Sequence, residues 1–179
     1  MDKLIKVTID DINVKLGWAI RSFDKLIANK KNINEIQDNF CSFLTAFQQS
    51  WNYYNRLIEE LTPELSKEKR KELSLRVIND WKVNQLSQNE RISWKILQKL
   101  RNNDTHRAPV QTNYEIKIVL LTDYDGAIFT DYDGTHFSAT SEVIYVIFNN
   151  NEYDIEYLAI NGIESIKKLI KYLPSIKNN

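Results

Sequence analysis

The residues of this chain best suited to chemistry stand together in Leu100-Arg101-Asn102-Asn103-Asp104-Thr105-His106-Arg107-Ala108-Pro109. A guanidinium keeps its charge and grips phosphate with paired N–H donors, while an imidazole exchanges protons near neutral pH. Side by side, the two suit phosphodiester cleavage without a metal. The chain has only 2 histidines, and the other, His136, falls in an expected turn and reads as a surface residue.

Whether Arg101 and His106 act together depends on the backbone that carries them. On one straight helix, five residues at about 100° each rotate the two side chains about 140° apart. Asn102, Asn103, Asp104 and Thr105 are poor helix-interior residues whose side chains compete for backbone hydrogen bonds. A kink or loosening is therefore expected there, letting the long Arg101 side chain reach round. Pro109 disfavours helical geometry at Ala108 and ends the segment. If the helix instead persists, Arg91, Lys95, Lys99, Asn102 and His106 follow one another at spacings of four, four, three and four. Such a basic stripe can carry a phosphate backbone, and its plainer reading is a solvated charged face. The plainer reading of the 101–106 cluster is an asparagine C-cap with an ordinary histidine hydrogen bond.

The elements that hold this segment can be read from apolar spacing. With 42% hydrophobic and 11% aromatic residues in 179, the chain can bury a substantial core. Ile9, Ile12, Leu16, Ala19, Ile20, Phe23, Leu26 and Ile27 recur at three-and-four spacing and predict a first amphipathic helix. Asn34 is the expected cap of a second, with the stripe Phe40, Phe43, Leu44, Phe47, Trp51, Tyr54, Leu57, Ile58 and Leu61. Thr62-Pro63-Glu64 reads as the start of a third, through Leu73, Val77 and Trp81. Ser87 and Glu90 form a capping box for a fourth, through Ile92, Ile96, Leu97 and Leu100. Four helices on short connections predict a bundle.

Past Pro109 the pattern changes to alternation and β-formers at Tyr114–Leu121. Further strands are expected at Ala127–Tyr132, Val143–Phe148 and Tyr153–Ile160, parted by turn signals that include Asn149-Asn150-Asn151. A last amphipathic helix, Ile163–Leu173, closes over one face. Thr122-Asp123-Tyr124-Asp125-Gly126 repeats word for word at Thr130-Asp131-Tyr132-Asp133-Gly134. The other positions of a calcium loop are missing, so two similar turns explain the repeat. The expected fold class is α+β. An antiparallel bundle of about four helices (residues 1–108) precedes a small antiparallel β-meander with a C-terminal helix (residues 109–179).

Net charge is zero, yet residues 1–110 hold 19 Lys+Arg against 14 Asp+Glu, and residues 111–179 hold 5 against 10. A polyanion should prefer the first part, and the acidic second part suits recruiting a partner or shielding the bundle from stray RNA. Cys41, the only cysteine, stands in an apolar run and reads as a buried structural thiol. The N-terminus lacks a signal-peptide core and no stretch approaches membrane-spanning length, so a soluble cytoplasmic protein is expected, with no membrane association. Trp94 and the pair Tyr53-Tyr54 offer base-stacking surfaces for an RNA-binding reading, although they sit at core spacing.

Arg101-Asn102-Asn103-Asp104-Thr105-His106 resembles the Arg, polar residue, spacer, His signature of the HEPN superfamily. Its members are small helical bundles, many of them metal-independent endoribonucleases of toxin–antitoxin, abortive-infection and CRISPR-linked defence systems. The similarity covers about residues 8–108, with Trp94, Leu97 and Leu100 before the motif and Pro109-Val110 after it. The resemblance implies that His106 is general base or acid at the ribose 2′-hydroxyl. It further implies that Arg101 holds the scissile phosphate and Asn102 orients the pair. Lys95, Lys99 and Arg107 would bind substrate. It implies RNA as substrate, no metal or other cofactor, and a homodimer whose two motifs share one cleft, with an antitoxin or defence-system protein as a further partner. Ala108 stands where the toxin branch has a tyrosine, so the resemblance does not extend to regulation by adenylylation. The alternative is a non-catalytic HEPN-like scaffold or sensor subunit that binds a protein partner.

Overall fold

The computed structural model describes residues 7–106, 110–120 and 138–176, and the side chains among them outside 104–106, 118–120, 138–140 and 173–176. Helix α1 (Ile9–Ala28) starts at a reciprocal cap. The Asp11 N–H donates to the Thr8 hydroxyl at 3.3 Å, and the Asp11 carboxylate accepts from the Thr8 N–H and hydroxyl at 2.8 Å each. Its buried face is the expected one, with Ile12, Leu16, Ala19 and Leu26. Helix α2 (Ile33–Leu61) starts one residue before Asn34. Asn32, still extended, caps it by accepting the N–H groups of Asn34 and Glu35 at 3.2 and 3.4 Å.

Helix α3 (Lys67–Gln85) also begins later than its apparent signal. Thr62 closes α2 and the Ser66 hydroxyl caps α3 by accepting the Lys69 N–H, so Pro63 lies in the connection between them. Helix α4 runs Gln88–His106. Strands β1 (Thr112–Leu120), β2 (Ser138–Phe148) and β3 (Asn151–Asp154) form one antiparallel sheet in that order. Thr112 lies opposite Val146 and Tyr114 opposite Ile144, and Thr112, Ile144 and Val146 are buried on the face turned to the helices. The β2–β3 turn sits on Asn149 and Asn150 at φ of 52° and 62°, a left-handed pair that asparagine accepts more readily than other non-glycine residues.

The last element departs from its expected extent. Helix α5 occupies Ile155–Ile176, so the strand expected at Tyr153–Ile160 stops at Asp154. The Asp154 carboxylate accepts the Tyr157 N–H at 3.1 Å, and Ile155, Leu158, Ala159, Ile163, Ile166 and Leu169 then bury at helical spacing. The strand expected at Ala127–Tyr132, both Thr-Asp-Tyr-Asp-Gly copies and His136 lie outside the described residues.

Helix α5 packs on α1, α2 and α4 as well as on the sheet, and its buried residues join the same core as those of α1 to α4. At the centre, Trp94 meets the rings of Phe47, Trp51 and Trp81 edge-on at centroid distances of 4.9, 5.2 and 5.1 Å. Gly162 is where α5 approaches this group. A Cβ there would lie 2.5 Å from Leu97 Cδ1 and 3.3 Å from the Phe47 ring. Both neighbours are essentially fully buried and have no free space to retreat into. Gly162→Val is expected to destabilise the fold by about 1–3 kcal/mol through overpacking, read as a lower urea midpoint. An unchanged midpoint would show that α5 does not seat this closely.

Candidate functional site

Helix α4 is anchored at its start and locked in rotation along its length. The Glu90 carboxylate accepts the Ser87 N–H at 2.7 Å, and the Glu90 N–H donates to the Ser87 hydroxyl at 3.3 Å. Lys168 of α5 donates to the same carboxylate, at 2.6 Å and 2.7 Å to its two oxygens. Ser93, Trp94, Ile96, Leu97 and Leu100 turn into the core. The opposite face is left to water, and on it stand Arg91, Lys95, Lys99 and Asn102, all exposed.

The helix is uninterrupted to His106, so of the two cases, a backbone that loosens over Asn102–Thr105 and a helix that persists, the structure has the second. Local side-chain competition is too weak to end a helix whose preceding two turns are fixed by Trp94, Leu97 and Leu100. Arg101 is half-buried on the flank of α4, next to the exposed Asn102. With regular helical rotation, the Cα–Cβ directions of Arg101 and His106 stand about 140° apart around the axis in one subunit. The file of Arg91, Lys95, Lys99 and Asn102 does lie on one face, and His106 continues it by position. The side chain of His106 and the whole of Arg107 lie outside the described residues.

Of the aromatics weighed for base stacking, Trp94 is 2% exposed and Tyr54 fully buried, and both belong to the core. Tyr53 is half-buried. Cys41 is half-buried rather than buried, and accepts a 3.4 Å contact from the Gln37 amide. The aromatic the sequence reading passed over is Trp18, which is 44% exposed on α1 with the Lys15 ammonium 3.7 Å from its ring centroid. It falls off the apolar stripe of its helix, between Lys15, Arg21 and Lys25, and that misplacement was the available signal. Trp18 lines a cavity of about 370 Å³ between α1 and α2, together with Ser22, Cys41, Ser42, Thr45 and Gln49.

Among the described residues, no group of three or more His, Cys, Asp or Glu is placed to hold a metal ion. No described helix is long and apolar enough to cross a membrane. No family model, no curated protein and no solved structure matches the chain.

Burial pushes the Glu90 carboxyl up, but Lys168 and the two Ser87 donors outweigh it and hold the group below its ordinary value of 4.5. A lowered carboxyl contributes stability above its unfolded value, and that stability is lost as pH falls through the folded one. Glu90→Gln should therefore be less stable than wild type at pH 7, by about 1–2 kcal/mol from the weakened cap and lost ion pair. In urea titrations the gap should begin to narrow below pH 4.5 and close as pH falls through the lower folded value. A gap independent of pH would mean that the carboxylate charge does not anchor α4.

Proposed function

We propose that this protein is a metal-independent endoribonuclease of a defence or toxin-type system, acting as a homodimer. The observation that carries the proposal is the exposed file Arg91, Lys95, Lys99 and Asn102, which leads along a rigid α4 to the position of His106. A strand's phosphates lie along such a file and end at the imidazole. The resemblance of 101–106 to the HEPN signature supplies the roles. His106 takes the proton of a ribose 2′-hydroxyl, and the freed oxygen attacks the adjacent phosphorus. The bond to the 5′-oxygen breaks, and that oxygen takes a proton from the imidazolium as it leaves, which returns the imidazole to its starting state. Arg101 holds the phosphate and its added negative charge, Asn102 orients the pair, and Arg107 extends the grip on the backbone. The products are a 2′,3′-cyclic phosphate and a 5′-hydroxyl end. Because positions 101 and 106 of one helix stand about 140° apart around its axis, the productive pair is drawn from two copies of α4 facing one another.

The same angular separation, taken in a single subunit, favours a second reading: a non-catalytic bundle of this shape that serves as scaffold or sensor for a partner protein. Cleavage of mixed RNA by purified protein in EDTA distinguishes the two. His106→Ala is expected to lower the rate by about 10²–10⁴-fold with the fold retained. Lys95→Ala with Lys99→Ala is expected to weaken single-stranded RNA binding and reduce the log–log salt slope by about 1.4. Full activity in the His106→Ala protein removes the nuclease reading, and a wild type that neither cleaves RNA nor dimerises leaves the scaffold.

A further inference from the structure

The groove between α1 and α2 has an order of its own. Helix α1 brings Trp18, Ser22 and Lys25 along one line with Arg21 beside it, and α2 runs back past them with Asn39, Ser42, Thr45 and Gln49. Two cavities share Trp18, Ser22 and Ser42. The larger, about 370 Å³, is bounded by the indole and by uncharged groups. The smaller, about 230 Å³, adds Arg21, Lys25 and Asn39. Uncharged and aromatic at one end, cationic at the other, the groove has the polarity of a nucleoside joined to its phosphate.

We propose that this groove binds one purine nucleotide, with the base against Trp18 and the phosphate between Arg21 and Lys25. The indole is 44% exposed and lines both cavities, with the Lys15 ammonium 3.7 Å from its centroid on one face, so a base would stack on the face that Lys15 leaves open. Gln49 supplies a second sign of a ligand. Its side-chain oxygen is buried, has no hydrogen-bond partner and belongs to a residue lining the larger cavity. A buried acceptor without a donor is costly, and a turn of the Gln49 amide toward the cavity would let an amino-bearing base such as adenine supply that donor. The Thr45 hydroxyl donates to the Cys41 carbonyl at 2.9 Å, so within the larger cavity its oxygen can serve a ligand hydroxyl only as an acceptor. Arg21 and Lys25 are exposed and form the phosphate end, where the Asn39 amide is bonded to Glu35. The nucleotide is either free or part of an RNA strand. The site stands apart from the α4 file and does not depend on cleavage there.

The test is calorimetric titration of the full chain with AMP, with a hexamer of oligo(A) RNA and with ribose 5-phosphate. AMP should bind, and ribose 5-phosphate should bind at least about tenfold more weakly because it cannot stack. Trp18→Ala should weaken AMP about tenfold or more. Arg21→Ala with Lys25→Ala changes only exposed side chains, and should weaken AMP while leaving the melting temperature in place. Lys95→Ala with Lys99→Ala should leave AMP affinity unchanged, which separates this site from the nuclease reading. If the hexamer binds much more tightly than AMP and loses that affinity in the α1 variants, the occupant is a strand nucleotide; equal affinities per site mean a free one. The inference is overturned if AMP fails to bind at millimolar concentration, if ribose 5-phosphate matches it, or if the α1 variants bind as wild type. Binding of an acidic peptide instead of AMP also overturns it.

Discussion

The orientation of α4 about its own axis depends on Trp94. Its ring is surrounded by Phe47 and Trp51 of α2 and Trp81 of α3, while α5 presses Gly162 against Leu97 one turn further on. Truncating a buried aromatic of this kind costs about 3–5 kcal/mol. Turning α4 by even one residue, about 100°, would expel the indole and bring a lysine inward. The exposed file of Arg91, Lys95, Lys99 and Asn102 is thus a consequence of core packing on the opposite side of the same helix. Surface chemistry and stability are set by one rotation.

The second half of the chain is tied to the first by polar contacts of unequal weight. Lys30–Glu156 and Lys31–Glu142 join the α1–α2 connection to α5 and β2, and the second of these is well exposed and contributes little. Gln37 matters more. Its amide donates to the Val110 carbonyl, and its oxygen accepts from the Thr112 N–H at 2.9 Å and the Thr112 hydroxyl at 3.1 Å. One α2 side chain thereby satisfies both sides of the backbone where β1 begins, where unpaired groups would be costly. The acidic region is also a structural part of the bundle, since α5 covers Phe47, Leu97 and the Glu90 carboxylate.

Where periodicity was long, the sequence was legible. The buried faces of α1 and α2 and the Ser87–Glu90 box stand as their spacing implies, because 3-and-4 stripes over five or more turns leave little choice. Starts were harder. Asn34 and Thr62 are good capping residues placed two and four positions from better ones, Asn32 and Ser66, and only the neighbouring backbone decides between them. Tyr153–Ile160 read as strand because Tyr, Ile and Leu favour both states, while Leu158, Ala159 and Ile163 already carried the helical spacing that continues to Leu169. At the site, the basic file was legible, while the sequence left open whether the helix beneath it breaks or runs on. Four weak helix formers invite a break, yet three buried residues ahead of them hold the helix through it. Trp18 was missed for the opposite reason: a stripe search looks for aromatics on the apolar face, and this one lies off it.

The unbroken helix carries a further consequence for any chemistry shared by positions 101 and 106. Arg101 is half-buried on the flank of α4, and position 106 continues the line of the basic file along the helix, so one helix does not bring the two positions to the same side. Rotamer changes move an arginine head by several ångströms, but they do not carry it around a helix whose near side is packed with Trp94, Leu97 and Leu100. Convergence then requires a second α4 to approach end to end with the first, each contributing what the other lacks. On the proposed nuclease reading, activity would belong to an assembly of two copies and would fall on dilution without any change in the fold of either.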